Sequence, residues 1–457
     1  MANKQHVRKR DTDGEEENQI GQLESSRDPL LNALRKYFHE HVSIPVVEQK
    51  RAKTVVEKIK LILEDNFKTS NFVFGTIYHQ GSSYEGLKVI REDEFDLLVP
   101  IKMGTDLWKA EENAEGCNTH SSGYYFIKKV RNGATHLNDC VVNGYINPIS
   151  TFRQMQSLVQ GVVNQINQEL FGITARQSVN GPALTINVTY DSRKQLSIDI
   201  VPCIELDGTR YVAKRHPKAE SPNSRQAPGQ NIYDQLWRRS YTQKEQIIIS
   251  DMDWQNECRR ACLKILKTIR VKRGASQLGM LSSYHLKTCM LYLNDDTSVT
   301  QWHQDYLHDR FKDLLRTLIK YMEKYDLPNF HNPSENLFEQ FTQESLRNVL
   351  RWLREIVQSD QKIIEILLQG RDCQDITIDN FQVFVKTTNG NTLTFSGMKR
   401  STLVRELKKK IEIKTGISPS QQLLVFGGKN LEDQRNLQSY GIANESTIQM
   451  TGRLRGG

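Results

Sequence analysis

Residues 81–100 read GSSYEGLKVIREDEFDLLVP, and the chain is best understood outward from this stretch. Side chains on a strand alternate between faces, so Glu94 and Asp96 point the same way while Phe95 and Leu97 point into a core. Two carboxylates are thereby aimed at one point. A pair of divalent ions about 4 Å apart needs oxygen ligands from several chain segments, so a third acid is expected on a neighbouring strand. Asp199, inside the apolar run LSIDIVPCIEL at 196–206, is the candidate.

The neighbours of these acids raise the cost of leaving them unpaired. Asp96 precedes Leu97, Leu98 and Val99, and Asp199 lies among Ile198, Ile200 and Val201. Carboxylates in such strands are costly unless paired or bound to metal. Upstream, Gly81 and Ser82 form a small-residue turn whose backbone N–H groups can cradle an anion. A turn of this kind followed by an E-x-D pair is the spacing with which polymerase-type nucleotidyltransferases hold a nucleoside triphosphate.

With these residues in place, residues 45 to 370 resemble the family of cyclic GMP-AMP synthase and the cGAS-like receptors. The resemblance is carried by GSSYEGLKV, EFDLLVP, LSIDIVP, LWRRSYTQKE, ACLKILK and, most specifically, LSSYHLKT. It implies an α/β fold: a bilobal nucleotidyltransferase with a mixed-sheet core and an α-helical lobe. Glu94, Asp96 and Asp199 would bind two Mg²⁺ ions, with Mn²⁺ as a substitute, and Asp199 would take the proton from the attacking ribose hydroxyl. ATP and GTP would be the substrates. Gln80, Gly81 and Ser82 match the phosphate-contacting turn, Gln80 standing where the vertebrate enzyme has Thr. Lys264 and Ser283 match holders of the triphosphate, Tyr284 a ring that stacks on a base, and Arg238 a guanidinium that reads a base edge. Lys214, Ser240, Thr242 and Glu245 match further pocket positions, Thr242 replacing Ser. These residue types suit their tasks: Lys offers a point charge, Tyr a stacking face and Arg a planar fork.

The vertebrate enzyme carries a zinc-binding insertion after the WR-S segment. Here residues 243–257 read QKEQIIISDMDWQNE, without His or Cys, so no structural zinc is expected and duplex RNA is preferred to DNA as activator. Cys258 and Cys262 are i,i+4 on the next helix and are expected as buried thiols. A second set, Cys117, His120, His136 and Cys140, has zinc-like pair spacing. The segment between its halves contains Tyr124, Tyr125, Phe126, Ile127 and Val130 and reads as a core strand. Such a strand would hold the pairs nearly 20 Å apart.

At 457 residues the chain should hold two or three domains, and 37% hydrophobic residues are enough for real cores. No apolar run approaches 18 residues and no signal peptide is recognised, so no membrane association is expected and the expected location is cytoplasmic. Seven cysteines without a regular framework suit a reducing compartment. Residues 1–28 are polar and unpatterned and are expected to be a disordered tail. The expected divisions that follow are a core at 29–215, a helical lobe at 216–372, a linker at 373–380 and a last domain at 381–457.

Net charge is +8, and its placement matters more than its size. PVVEQKRAKTVVEKIKLILEDNF at 45–67 reads as a long helix with Val46, Val47, Val55, Val56, Ile59, Ile62 and Leu63 inward. Lys50, Arg51, Lys53, Lys58 and Lys60 lie on its outer face. A helix at 258–273 adds Arg259, Arg260, Lys267, Arg270, Lys272 and Arg273. The resemblance implies that these two helices together bind duplex nucleic acid, with double-stranded RNA preferred because the zinc insertion is missing. A later helix with Leu346, Val349, Leu350, Leu353, Ile356 and Val357 at three-four spacing reads as core packing.

Residues 381–457 resemble ubiquitin along their whole length. A Thr-Asn-Gly hairpin, a basic helix with Leu403, Leu407 and Ile411 inward, and further short strands independently argue a β-grasp. The ending Arg453-Leu454-Arg455-Gly456-Gly457 matches the tail read by ubiquitin-activating enzymes. The aliphatic patch used by ubiquitin-reading proteins falls at Thr388, Val425 and Thr451, two of them hydroxylated. The resemblances imply an innate-immune enzyme that makes a cyclic dinucleotide when bound to duplex RNA and acts on a STING-type receptor through that product. The alternatives are a catalytically silent RNA sensor signalling through its ubiquitin-like domain, as oligoadenylate-synthase-like proteins do, and a ubiquitin-like modifier with a large cargo.

Overall fold

The computed structural model describes residues 27–104, 106–112, 122–131, 137–180, 183–191, 194–214, 216, 232–252, 256–273, 278–339, 341–368, 381–387, 392–398, 402–426, 429–440, 442 and 446–452. The chain divides into two compact units: the first holds nearly all of residues 27–268 and 283–367, the second residues 269–282 with those from 368 onward.

The first unit is organised by a mixed sheet. Strand Glu94–Lys102 pairs in parallel with Lys194–Leu206, and the short strand Tyr78–Gln80 lies antiparallel on its other edge. Lys194–Leu206 is long enough to pair twice more, with Ala183–Tyr190 along its first half and with Thr209–Val212 along its second. From Thr209–Val212 the sheet continues through Trp237–Ser240 to Tyr124–Lys129. The run Phe95, Leu97, Val99 and Ile101 is fully buried, as are Ile198, Ile200 and Ile204, which is what alternate apolar residues on a covered face require.

Helices Val46–Lys68 and Pro148–Glu169 pack together against this sheet, and Asn66 donates to Gln165 at 2.5 Å across them. The first helix buries Ala52, Val55, Val56, Ile59, Ile62, Leu63 and Phe67. Val47 was expected in that stripe but is 62% exposed. It precedes Ala52 by five residues, about 500° of helical rotation, which leaves it roughly 140° off the buried line. In the strand Tyr124–Lys129, Tyr124, Phe126 and Ile127 are buried; Val130 lies one residue past the end and is exposed, so it is not part of that core.

The helical part of the first unit contains Ser283–Asp296, Leu307–Lys324, Gln343–Val357 and Asp360–Leu368. Leu307–Lys324 packs on Gln343–Val357, whose Leu346, Val349, Leu350, Leu353 and Ile356 are buried while Val357, its last residue, is only half-buried. Asp28, counted in the polar tail by its sequence, is instead a helix cap. Asp28 caps helix Pro29–Tyr37 by accepting from Leu31 N at 2.8 Å, with proline in the first helical turn. Residues 1–26 lie outside the described residues, as does the expected linker at 373–380.

In the second unit, strands Thr392–Met398, Phe381–Lys386, Ser446–Gly452, Gln422–Phe426 and Lys429–Asn430 form one sheet in that order. The pair Phe381–Lys386 and Ser446–Gly452 is parallel and the rest are antiparallel. Helix Val404–Thr415 turns Val404, Leu407 and Ile411 onto Val383, Val385, Leu424 and Ile448, all fully buried. Leu403 is its N-cap and only half-buried. The helix ends at Gly416 with φ 72, the left-handed conformation that glycine adopts without penalty. This is the β-grasp arrangement expected from the sequence. Val425 and Thr451 sit on neighbouring strands of this sheet; Thr388 and the tail Arg453–Gly457 lie outside the described residues.

Among the described residues no helix is long and apolar enough to cross a membrane.

Candidate active site

Strand register gathers the site. Gln80 pairs with Asp96, Asp96 with Asp199 and Asp199 with Thr185, a row across four adjacent strands. Register partners present their side chains on one face, so both aspartates stand side by side there, with Glu94 two residues along. Thr185 Oγ1 donates to Asp199 Oδ1 at 2.5 Å. Thr185 is fully buried and was not anticipated; only its place in an alternating strand beside Asp199 could have signalled it.

The turn after Gln80 closes onto these acids. Gly81 has φ +81, and a Cβ there would fall on the Asp96 carboxylate. Glycine is required at this position both for its backbone conformation and for space. Ser83 Oγ donates to the Glu94 carbonyl at 2.7 Å, and Leu87 N bonds to the Ser82 carbonyl at 2.8 Å, so the turn is fastened to the start of the acid-bearing strand.

The carboxylates differ in surroundings. Glu94 opens its strand with a side chain 55% exposed. Lys88 Nζ lies 2.9 Å from Glu94 and 3.1 Å from Asp93, and its charge lowers the Glu94 pKa. Burial, and then the charges of Glu94 and Asp199, push the Asp96 carboxyl up to about 7. Among the described residues, no three His, Cys, Asp or Glu side chains are gathered closely enough to cage a metal ion. Glu94 is turned toward Lys88 and Asp199 toward Thr185. The donor set nevertheless fits Mg²⁺ or Mn²⁺: Glu94, Asp96 and Asp199 offer hard oxygen donors on one face, the ligand type those ions take.

A lysine cluster stands beside the acids. Lys287 pairs with Glu245 at 2.8 Å and Glu85 at 3.1 Å, both glutamates being buried. Lys88 and Lys287 sit inside the quoted motifs GLKV and LSSYHLKT, but residue type alone did not separate them from ordinary surface lysines. Lys264 lies with its Nζ 5.3 Å from the Phe38 ring. Ser283 begins helix Ser283–Asp296, and Tyr284 Oη donates to Glu245 at 2.8 Å. Ser240 Oγ and Thr242 Oγ1 are 3.0 Å apart, and Lys214 is exposed beyond strand Thr209–Val212. Arg238 is ion-paired with Glu335, a residue no motif singled out.

The expected basic face needs correction. Lys50, Arg51 and Lys58 are exposed and Lys53 partly so. Lys60 instead turns to His79, 3.1 Å away, and to Glu57 and Glu64. In the helix Arg259–Arg273, Arg259 is buried, paired with Glu257 and lying over the Trp302 ring. Arg260 donates to the Ile249 carbonyl at 2.9 Å and Arg270 to the Leu281 carbonyl. Lys267 is buried and donates to the Leu87 carbonyl; Lys272 is half-buried and the Arg273 side chain lies outside the described residues. These cations are spent on backbone carbonyls and ion pairs because neighbouring segments cover the helix, which its sequence did not reveal. The Cys258 and Cys262 thiols are buried and unbridged, as expected. Of the second cysteine-histidine set only Cys140 is described, and it is buried.

Lys267 makes a pH prediction. Burial, then the charge of Lys88, lowers its pKa to about 7 from 10.5. Between those values the unfolded chain holds a proton that the folded chain lacks, so this group adds stability as pH rises from about 7 toward 10. Denaturant titrations should therefore show a rise from pH 7 to 9.5 that Lys267→Met flattens. A variant with the same slope as wild type would show that Lys267 stays charged in the fold.

The chain matches the Mab-21 protein nucleotidyltransferase domain over residues 83–251, the Mab-21 protein HhH/H2TH-like domain over 258–355 and the ubiquitin family over 383–455. It is 28% identical over 353 residues to Cyclic GMP-AMP synthase-like receptor 3 of Stylophora pistillata, covering 74% of this chain and 98% of that one. A Cyclic GMP-AMP synthase-like receptor of Nicrophorus vespilloides is 26% identical over 315 residues, 65% of this chain and 83% of that one. Mitochondrial dynamics protein MID51 of Danio rerio is 27% identical over 329 residues, 69% of this chain and 67% of that one.

Proposed function

Since the chain belongs to the Mab-21 nucleotidyltransferase family and carries a ubiquitin-family domain in the same polypeptide, we propose that it is a nucleic-acid-triggered nucleotidyltransferase joining ATP and GTP into a cyclic dinucleotide. The observation that carries this reading is the Asp96–Asp199 register pair closed over by the Gly81 turn. Glu94, Asp96 and Asp199 would hold Mg²⁺ or Mn²⁺, which would polarise the phosphates and neutralise the charge that develops on them. Asp199, aligned by Thr185, takes the proton from the attacking ribose hydroxyl. The Gly81–Ser82 turn and Lys264, Lys287 and Ser283 orient the triphosphate, and Tyr284 stacks on a base. The product would act on a STING-type receptor.

Purified protein incubated with labelled ATP, CTP, GTP and UTP, with and without duplex RNA or DNA, tests this directly. A cyclic product that requires duplex RNA is expected. Nucleotide binding without any product would favour a silent sensor.

Double-stranded RNA is proposed to bind the open cations of helix Val46–Lys68. If these cations neutralise about four phosphates, affinity should fall on the order of a hundredfold between about 50 and 200 mM salt. Charge reversal at Lys50 and Lys58, both exposed, should abolish RNA activation and leave basal Mn²⁺-supported turnover. Unchanged activation in that variant would move the RNA face elsewhere.

The ubiquitin-family domain is proposed to engage ubiquitin-activating enzymes through Arg453–Gly457 more strongly than patch-reading proteins, because two of the three patch positions carry hydroxyls. Thioester formation on Gly457, lost on deleting Gly456 and Gly457 while nucleotide joining persists, is the expected result. Absence of a thioester together with tight binding to patch readers would reverse the assignment.

A further inference from the structure

The Arg238–Glu335 pair is more enclosed than a surface ion pair: the two side chains are 18% and 16% exposed. Glu335 Oε2 accepts from Asn329 Nδ2 at 3.0 Å. Asn329 is fully buried, and its Oδ1 accepts from His331 N at 3.0 Å, which fixes which end of the amide faces the glutamate. The same Nδ2 lies 3.4 Å from Tyr284 Oη, which donates on to Glu245. The Arg238 guanidinium is 5.6 Å from the Tyr124 ring centroid. Burying an ion pair costs desolvation, and this one sits in a connected network with the residue proposed to stack on a base.

We propose that Glu335, held by Arg238 and Asn329, makes this base subsite a reader of guanine. The inference rests on the nucleotide-binding reading above and specifies one of its substrates. A carboxylate only accepts and a guanidinium only donates, so the pair presents one donor beside two acceptors. Guanine's Watson–Crick edge is the complement: O6 accepts from Arg238, while N1–H and N2–H donate to the two oxygens of Glu335. Adenine offers only an N6–H donor beside the N1 acceptor, one bond fewer, and inosine lacks the 2-amino donor. The two carboxylate oxygens have about four lone-pair sites; Arg238 takes one on Oε1 and Asn329 one on Oε2, which leaves about one on each oxygen for a base. Asn329 is a positioning residue here, and Glu335 the group that touches the base.

The test is equilibrium binding of non-hydrolysable analogues of GTP, ITP and ATP in Mg²⁺ to the full chain and to Glu335→Gln. Wild type should bind the GTP analogue tighter than the ITP analogue by about tenfold or more, as expected for one hydrogen bond to a charged acceptor, and Glu335→Gln should bring the two within about threefold. The ITP arm uses the unaltered protein, so it stands whether or not the variant folds. Equal binding of GTP and ITP analogues by wild type, or an unchanged ratio in Glu335→Gln, overturns the guanine assignment while leaving nucleotide binding intact. A wild type that binds none of the three overturns both readings.

Discussion

Replacing Asp199 with Asn will leave the chain folded and lower nucleotide joining by about 10²–10⁴-fold, the range contributed by a positioned proton acceptor. The amide oxygen still accepts from Thr185, and the substitution removes one of the like charges that crowd Asp96, so nothing in the packing is lost. What is lost is the proposed proton acceptor and one of the three carboxylate charges proposed to hold the metal ions. Product formation is read by chromatography of labelled nucleotides, folding by thermal melting and RNA binding by titration. Activity above a tenth of wild type would remove Asp199 from the reaction.

Gly81→Ala should be the most damaging small substitution in the turn. An L-residue at φ +81 costs about 1–2 kcal/mol from the backbone alone. The added methyl must also displace the Asp96 carboxylate, so either the turn lifts or the strand shifts. A fall in melting temperature of roughly 1–3 °C follows from that backbone cost at the size of the first unit, and triphosphate binding and turnover should be lost with it. Gly172→Ala is the control: its φ is +76, but nothing lies within 4 Å of a Cβ there. It bears the backbone cost without the collision. If Gly81→Ala melts no lower than Gly172→Ala and keeps its nucleotide affinity, the turn does not close on Asp96 in solution.

These two variants probe features with different origins. The acids were legible because a period of two put Glu94 and Asp96 on one face and the apolar run around Asp199 marked its strand. The core of helix Val46–Lys68 was legible where the spacing stayed on one stripe and failed at Val47, where it did not. The basic helix Arg259–Arg273 was misread for another reason. A run of Arg and Lys states charge but not what covers it, and here Arg259, Arg260, Lys267 and Arg270 end on carbonyls or an ion pair.

Local periodicity and the Gly81–Ser82 turn thus determined the acid-bearing strands and the helix and hairpin of the β-grasp module, because each is written in spacings of a few residues; the mixed sheet followed from the resemblance that the motifs carry. Partner choice was decided only in three dimensions. Thr185 meets Asp199 through antiparallel register, Lys88 holds Glu94 across a turn, and Glu335 reaches Arg238 from a segment about a hundred residues away in sequence. A side chain's charge is a property of its residue, but its partner depends on which strand or loop arrives beside it. That is set by the packing of the whole unit.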